Sequence, residues 1–482
     1  MGTIKWSTPV DEFPQSAGSA HYASPAITYR NTVVVGVKTG ETDGFKLEGL
    51  AGATGANLWT MSTDYSMVST NNTYWYSVYP FAIANASTVV AAGAGGTILV
   101  KQDADTPTSP VRAYCFYQPL VKYLRTPESY TGVKICTAMT PDTRGCTYFG
   151  YVTDSSIPSV TRTLIGTGGF VRFQTGGTFA YARASDLVPG GSGDSCRPVY
   201  NSAPVENADR SAIYVSVADD TQGTYYLVKL DAWTLQKLAS VRLLDPSNGY
   251  GVWECPCGSG SPMIAPDGQV FYGVMRSYDP YSRGYMLQFD KNLKQTDSTG
   301  KRFPVGSFGW DDTPSIVPAS ACGAYKGKSA YLLLTKYNNY IDANGTGRNK
   351  LAILDPKRDD LTSDIHSHIP VMTEVITVLG ITCDSNHYAC TDTTDVTNPS
   401  VPVREWCINA AAIDPSTHSA LINSEDGHAY RWNLDTNKLV QGTYLAPATG
   451  EPYTPTAVGP DGTVYAINDA SLHAIGVRSV TP

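Results

Sequence analysis

Between Ser24 and Thr60 the chain reads SPAITYRNTVVVG, then a polar turn, then GFKLEGLAGATGANLWT. Three apolar runs of strand length alternate with turn chemistry, which predicts strands over 25–28, 32–37 and 45–50, a tight Thr54-Gly55 turn and a fourth strand around Trp59. A four-stranded meander with apolar residues on both faces cannot bury them alone, so it needs neighbouring copies of itself. Aligning first-strand starts gives eight registers, near Ser24, Pro80, Cys136, Ser202, Ser261, Pro314, Ile408 and Pro455. The pattern predicts an all-β chain, an eight-bladed β-propeller of four-stranded antiparallel blades forming one domain over 1–482. The opening residues Thr3-Ile4-Lys5-Trp6-Ser7 match Leu58-Trp59-Thr60, so the N-terminal strand is expected to complete the last blade and remove the open sheet edge.

Copies of about 60 residues are longer than a compact blade. The excess is assigned to insertions at 106–132, 171–197 and, longest, 357–404, which carries His366, His368, His387 and the close pair Cys383 and Cys390. Acidic residues recur where strands turn: Asp142, Asp209, Asp267, Asp414 and Asp461 before second strands, and Asp231, Asp290, Asp355 and Asp435 after third strands. Asp at such places hydrogen-bonds its own backbone, so these carboxylates are read as turn chemistry.

A formal charge of −8 excludes the basic face that nucleic acid requires, and no apolar run reaches the length of a membrane span. Ten cysteines, an even number, point to an oxidising compartment and up to five disulfides. Sequons at Asn71, Asn85 and Asn344 permit glycosylation. The chain enters a strand-like segment directly after Met1-Gly2, which is read as a mature, secreted or periplasmic protein with its leader removed, and as a monomer.

The stretch Leu50-Ala51-Gly52-Ala53-Thr54-Gly55-Ala56-Asn57-Leu58-Trp59 resembles the repeat of pyrroloquinoline-quinone-type propellers, in which a Thr-Gly turn precedes a Trp that packs between blades. Leu230-Asp231-Ala232-Trp233-Thr234 and Leu434-Asp435-Thr436 are partial matches. The resemblance implies the propeller fold; the family includes quinoprotein alcohol dehydrogenases and also scaffolds without a cofactor. The chain departs from the dehydrogenases in lacking their vicinal Cys-Cys pair, its nearest feature being Cys255-Pro256-Cys257, and no C-x-x-C-H for haem occurs.

In a propeller the loops entering the inner strands open at one mouth. Those loops contain His21-Tyr22, Tyr76 and Tyr79, Lys134, Tyr200-Asn201, the run 254–259, Trp310-Asp311-Asp312, Arg404-Glu405-Trp406, and Glu451 with Tyr453. Carboxylates and a histidine among aromatics suit a small-molecule or glycan pocket. Asp311, Asp312, Glu405 and His21 are therefore the candidate catalytic acid–base groups, with Trp310, Trp406, Tyr79, Tyr453 and Tyr200 as substrate-binding walls. In extended chain the neighbours Asp311 and Asp312 point to opposite faces, so one of them is expected to reach a shared ligand. His366 and His368 share a face if extended and form a candidate metal pair. There is no G-x-S-x-G, and the glycine clusters lie between β runs instead of ahead of helices, which excludes a nucleophile elbow and a phosphate cradle.

These features predict a secreted propeller that binds a polar or aromatic small molecule or glycan in its central funnel, an extracellular enzyme using carboxylate and histidine chemistry without a quinone. The alternatives are a non-catalytic binding or scaffold propeller and a divergent dehydrogenase dependent on pyrroloquinoline quinone (PQQ) and Ca²⁺.

Overall fold

A computed structural model of the chain describes residues 2–14, 19–20, 22–41, 43–68, 75–76, 79–191, 195–253, 260–277, 283–362, 369–406, 408, 410–446 and 454–476. Its strands form eight antiparallel blades. Blade 1 contains Ala26–Ile27, Thr32–Lys38, Phe45–Ala51 and Asn57–Ser62, and blade 2 contains Phe81–Ala84, Thr88–Ala92, Thr97–Lys101 and Val111–Cys115. Blade 3 has a divided inner strand, Val133–Ile135 and Thr140–Pro141, followed by Cys146–Thr153, Gly168–Gln174 and Thr178–Arg183. Blade 4 repeats that division with Cys196–Pro198 and Val205–Glu206, then Ala212–Asp219, Thr224–Asp231 and Lys237–Arg242.

Blade 5 has Met263–Ile264, Val270–Val274 and Tyr285–Phe289, and among the described residues a bridge from Met286 to Gly306 stands where a fourth strand would pair. Blade 6 has Ser315–Pro318, Tyr331–Tyr337, Lys350–Asp360 and Val371–Leu379, and blade 7 has Ala412–Asp414, Ser419–Asn423, His428–Asn433 and Lys438–Tyr444. Blade 8 joins Ala457–Val458, Val464–Asn468 and Ser471–Gly476 to the N-terminal strand Thr3–Pro9. Thr3 pairs with Gly476 and Pro9 with Ser471, so the expected closure forms.

Second strands are covered on both faces by adjacent blades and read as continuous apolar runs; Val33, Val34 and Val35 are all fully buried. Fourth strands alternate because one face meets water, as in Asn57–Ser62, where Trp59 and Met61 are the buried residues. Trp59 carries the blade-to-blade contact expected of the repeat. Its Nε1 donates to the Ala104 carbonyl of blade 2 at 2.7 Å, and its ring fills the space above Gly49, where an added Cβ would lie 2.1 Å away. Trp6 does the same for the closing blade, donating to the Gly52 carbonyl at 2.9 Å. Gly55 turns with φ +73 beneath the Trp6 ring, a conformation and a clearance that favour glycine.

Three expectations need correction. The 171–197 and 357–404 segments are not wholly insertions, because Thr178–Arg183 and Val371–Leu379 are the fourth strands of blades 3 and 6, and Val111–Cys115 within 106–132 is that of blade 2. The disulfide count is lower than five pairs would give: Cys383–Cys390 is bonded, whereas Cys115, Cys136, Cys146 and Cys322 are buried thiols that serve as core. Cys255, Cys257 and Cys407 lie outside the described residues. Asp435, finally, does not cap its own turn. Asn433 accepts from the Asp435 and Thr436 amides, and Asp435 accepts instead from the Gly323 amide at 2.8 Å and pairs with His418. The other acidic turns behave as read; Asp231, for example, accepts from the Trp233 and Thr234 amides at 3.0 and 2.7 Å.

Candidate functional site at the entry to blade 6

The loop ahead of Ser315–Pro318 is folded by its backbone. The Gly309 and Trp310 amides both donate to the Arg283 carbonyl, at 2.8 and 3.1 Å, and the Asp312 amide returns to the Gly309 carbonyl at 3.3 Å. This turn lies so close on blade 5 that a Cβ on Gly309 would sit 1.9 Å from the Tyr285 carbonyl oxygen and one on Gly273 2.1 Å from that of Gly309. Asp311 adopts φ 55, the left-handed region that costs a non-glycine residue energy. The two aspartates therefore do not alternate as an extended chain would. Both are buried.

Asp312 is 1% exposed. Thr335 donates to its Oδ2 from the second strand of blade 6, while Oδ1 has no hydrogen-bond partner among the described residues. Burial raises this carboxyl to about 7; the neighbouring Lys336 charge, the Thr335 hydrogen bond and the Lys336 backbone amide pull it back, and Asp311 adds to the rise. Lys336 is also buried, with its ammonium 5.8 Å from the centre of the Phe308 ring. A carboxyl that changes protonation near neutrality, out of water and beside a fixed cation, can donate or accept a proton at physiological pH.

Around this pair the chain assembles a small aromatic and amide set. Trp310 packs edge-on against Tyr340, with centroids 6.0 Å apart. Asn338 donates to the Tyr340 hydroxyl at 3.3 Å and exchanges hydrogen bonds with the backbone of Trp406, both 3.2 Å. Arg283 reaches Asn339 and the Ala343 carbonyl.

The structure thus gathers Trp310, Asp311, Asp312 and the Trp406 backbone at one end of the strand Tyr331–Tyr337. Glu405 adjoins Trp406 and is half-buried. The Trp406 ring is 1% exposed and turns into the core between blades 6 and 7 against Tyr430, so it forms no open wall. Tyr79 is another core residue: it stacks on Phe45 with centroids 5.1 Å apart, and its hydroxyl donates to the Ala92 carbonyl at 2.8 Å. Tyr200 lies in the break of the divided inner strand of blade 4 under the Arg197 guanidinium, 4.4 Å from the ring centre. His21, Tyr453, Glu451, the 254–259 run and the pair His366 and His368 lie outside the described residues. Lys134 is engaged by the Met67 carbonyl at 2.5 Å.

Sequence reasoning did not find Thr335, Lys336 and Asn338. The signal was present: in Tyr-Leu-Leu-Leu-Thr-Lys-Tyr the apolar run of a fully buried strand is broken by Thr335-Lys336, and a lysine there needs a reason.

No family model matches the sequence, and no curated protein matches it. Solved structures do match in shape. A quinohemoprotein alcohol dehydrogenase from Comamonas testosteroni aligns with a TM-score of 0.54 at 10% identity, over 99% of this chain and 77% of that one. A europium-containing methanol dehydrogenase gives 0.53 at 10% identity, over 96% and 84%. Sqt1 of Saccharomyces cerevisiae gives 0.51 at 10% identity, over 99% and 100%.

The chain shares its propeller fold with these proteins. At this identity the likeness concerns architecture alone, and one architecture carries unrelated functions.

The residues described here do not fit a quinone with Ca²⁺. Among them no three His, Cys, Asp or Glu side chains group as metal ligands. The Trp406 ring is enclosed, and Trp310 offers an edge contact to Tyr340. Asp312 faces a threonine and a lysine, a donor set suited to holding a proton and not a divalent cation. Among the described residues no helix is long and apolar enough to cross a membrane.

Proposed function

We propose that the protein binds a polar or aromatic small molecule, or a glycan, in its funnel and acts on it by acid–base chemistry, with Asp312 as the proton-transferring group and no quinone. The observation that carries this reading is the buried Asp312 carboxyl, raised to about 7, with Oδ1 lacking a hydrogen-bond partner among the described residues. Such a group costs stability and suits proton transfer near neutral pH. Lys336 supplies the fixed charge that keeps the ionised form accessible and Thr335 fixes the carboxyl orientation, and Trp310 is proposed as an aromatic wall. Glu405 and His21 are proposed as further acid–base groups and Tyr453 as a further wall. Secretion is part of the proposal, supported by the Cys383–Cys390 disulfide, a bond typical of oxidising compartments.

The test is thermal denaturation against oligosaccharides, phenolic alcohols, transition metals and Ca²⁺ with PQQ, followed by turnover assays on whatever binds. A ligand at about 100 times its dissociation constant adds about 2.7 kcal/mol of stability. Asp312→Asn should abolish turnover while the protein stays folded; undiminished turnover would sink the acid–base role.

A second reading, a non-catalytic binding or scaffold propeller, is favoured by exposed apolar residues on two short helices. Val121 and Val160 are 66% and 80% exposed, with Leu124 and Leu164 close by in sequence.

A further inference from the structure

We propose that a cleft between blades 3 and 4 is a separate binding site for a neutral, hydroxyl-rich ligand of the saccharide class. It shares no residue with the Asp312 cluster and does not rest on the chemistry proposed there.

The cleft has a volume of about 500 Å³, within the usual range for small-ligand sites. Asp154 and Arg162 enter it from the connection between the second and third strands of blade 3. Arg197 comes from the first half of the divided inner strand of blade 4, Tyr200 from the break between its halves, and Asp220 from the turn after Ala212–Asp219. Tyr200, expected at the funnel, contributes to this wall.

Arg197 defines the character of the site. Its Nε and Nη2 donate to the two oxygens of Asp220 at 2.7 and 2.8 Å, its Nη1 donates to the Pro198 carbonyl at 3.2 Å, and its central carbon lies over the Tyr200 ring, 4.4 Å from the centroid. Each nitrogen makes one of these bonds and the Asp220 carboxylate offsets the charge, which weakens this arginine as an anion receptor and leaves one N–H on each Nη to donate to a neutral acceptor. Held by Asp220, it forms with Tyr200 a pre-ordered cation–π stack. The Asp220 side chain remains 51% exposed beside it, with carboxylate lone pairs left to accept hydrogen bonds.

Around the stack two further polar groups are held by the protein itself. Ser195 donates to Asp219 at 2.9 Å, and Asp154 accepts from the Ser156 amide at 2.8 Å while keeping further acceptor capacity. The two arginines and two aspartates of the lining cancel in charge. A phosphate would meet two carboxylates as well as the two arginines, one of them already paired with Asp220, and a polycation would have to compete with Arg197 for Asp220. A saccharide needs neither: its hydroxyls donate to Asp220 and Asp154, and its apolar face lies against the pre-ordered stack. Because the wall is ordered before binding, little conformational entropy is lost on complex formation.

The experiment is titration calorimetry of the full chain with maltotriose, cellotriose and chitotriose, with inorganic phosphate as the charged control. At least one trisaccharide should bind and phosphate should not. Tyr200→Ala, which removes half of the stack, should weaken that binding by about tenfold or more. Tyr200→Phe, which keeps the ring and the fold, should weaken it by a smaller factor. Asp220→Asn is the second probe and should weaken it; because the change leaves the Arg197 side chain, only 11% exposed, with a neutral partner, its melting temperature is measured alongside and binding is read where the variant is folded. Failure of all three trisaccharides to bind, preference for phosphate, or saccharide binding indifferent to both Tyr200→Ala and Asp220→Asn would overturn the proposal.

Discussion

Tyr79 and Asp312 stand at matching places in their blades, each in the loop just ahead of an inner strand, Phe81–Ala84 in blade 2 and Ser315–Pro318 in blade 6. Both are almost fully enclosed, at 3% and 1% exposure. Their surroundings differ in kind. Tyr79 has aromatic neighbours on several sides, Phe45, Tyr65 and Phe81, and its single polar atom is matched to one carbonyl. Asp312 sits on a left-handed turn beside a second buried carboxyl and a buried lysine, with one oxygen unmatched among the described residues. The first loop adds to stability. The second keeps a group whose ionised form burial opposes, and such costs are tolerated where function needs them. Position in the repeat therefore does not assign a role; the strand across from the loop does.

The comparison can be broken most forcefully at Tyr79. Tyr79→Ala removes a ring stacked between Phe45 and its neighbours and should destabilise the fold by about 3–5 kcal/mol in denaturant unfolding. A cost below about 1 kcal/mol would mean the loop is not part of the core.

Asp312→Asn should act in the opposite direction, and with a pH signature. The folded carboxyl titrates near 7 and the unfolded one near the ordinary value of 3.8. Between these values the folded state holds a proton that the unfolded state has released. Stability from this group is therefore complete below about pH 4 and is lost as pH rises through about 7. The loss amounts to about 4 kcal/mol, from about three units at about 1.36 kcal/mol each. Relative to wild type, the variant should gain stability progressively from pH 4 to pH 8. A difference flat in pH would contradict the assignment.

A smaller effect sharpens the same contrast. Tyr79→Phe keeps the stack but leaves the Ala92 carbonyl without its hydroxyl partner, and should cost about 1–2 kcal/mol at every pH from 5 to 9. Burial pushes the Tyr79 phenol well above its usual range, so it has no titration in that window.

Much of the fold is legible in the residues. The Thr54-Gly55 turn followed by Trp59 marks a fourth strand, and finding Trp6 in similar company is enough to expect closure by the N-terminal strand, which Thr3–Pro9 makes. Fourth strands without such a tryptophan are harder to read: Val371–Leu379 has no Thr-Gly turn before it, so the sequence alone does not separate it from an insertion. For disulfides the sequence sets only an upper bound, because a buried thiol and half of a disulfide look alike in sequence, and pairing depends on which strands the ring sets side by side.

The site was legible in part. Gly309-Trp310-Asp311-Asp312 stands out for two carboxylates beside an aromatic, yet nothing in that segment reveals Thr335 and Lys336, which reach Asp312 from another strand. Tyr79 and Trp406 look identical in kind to Trp310 along the chain. Their rings turn inward because Phe45 and Tyr430 wait across the blade junctions, a property of packing that spacing does not encode.

The most direct test of the account is the titration of Asp312 itself. Infrared difference spectra of wild type against Asp312→Asn, collected from pH 4 to pH 9, report the carbonyl stretch of a protonated carboxylic acid at this one position. The account predicts a band present at pH 5, absent at pH 9 and half lost near pH 7. A carboxyl already ionised at pH 5 would contradict it, and the acid–base role would fall with it.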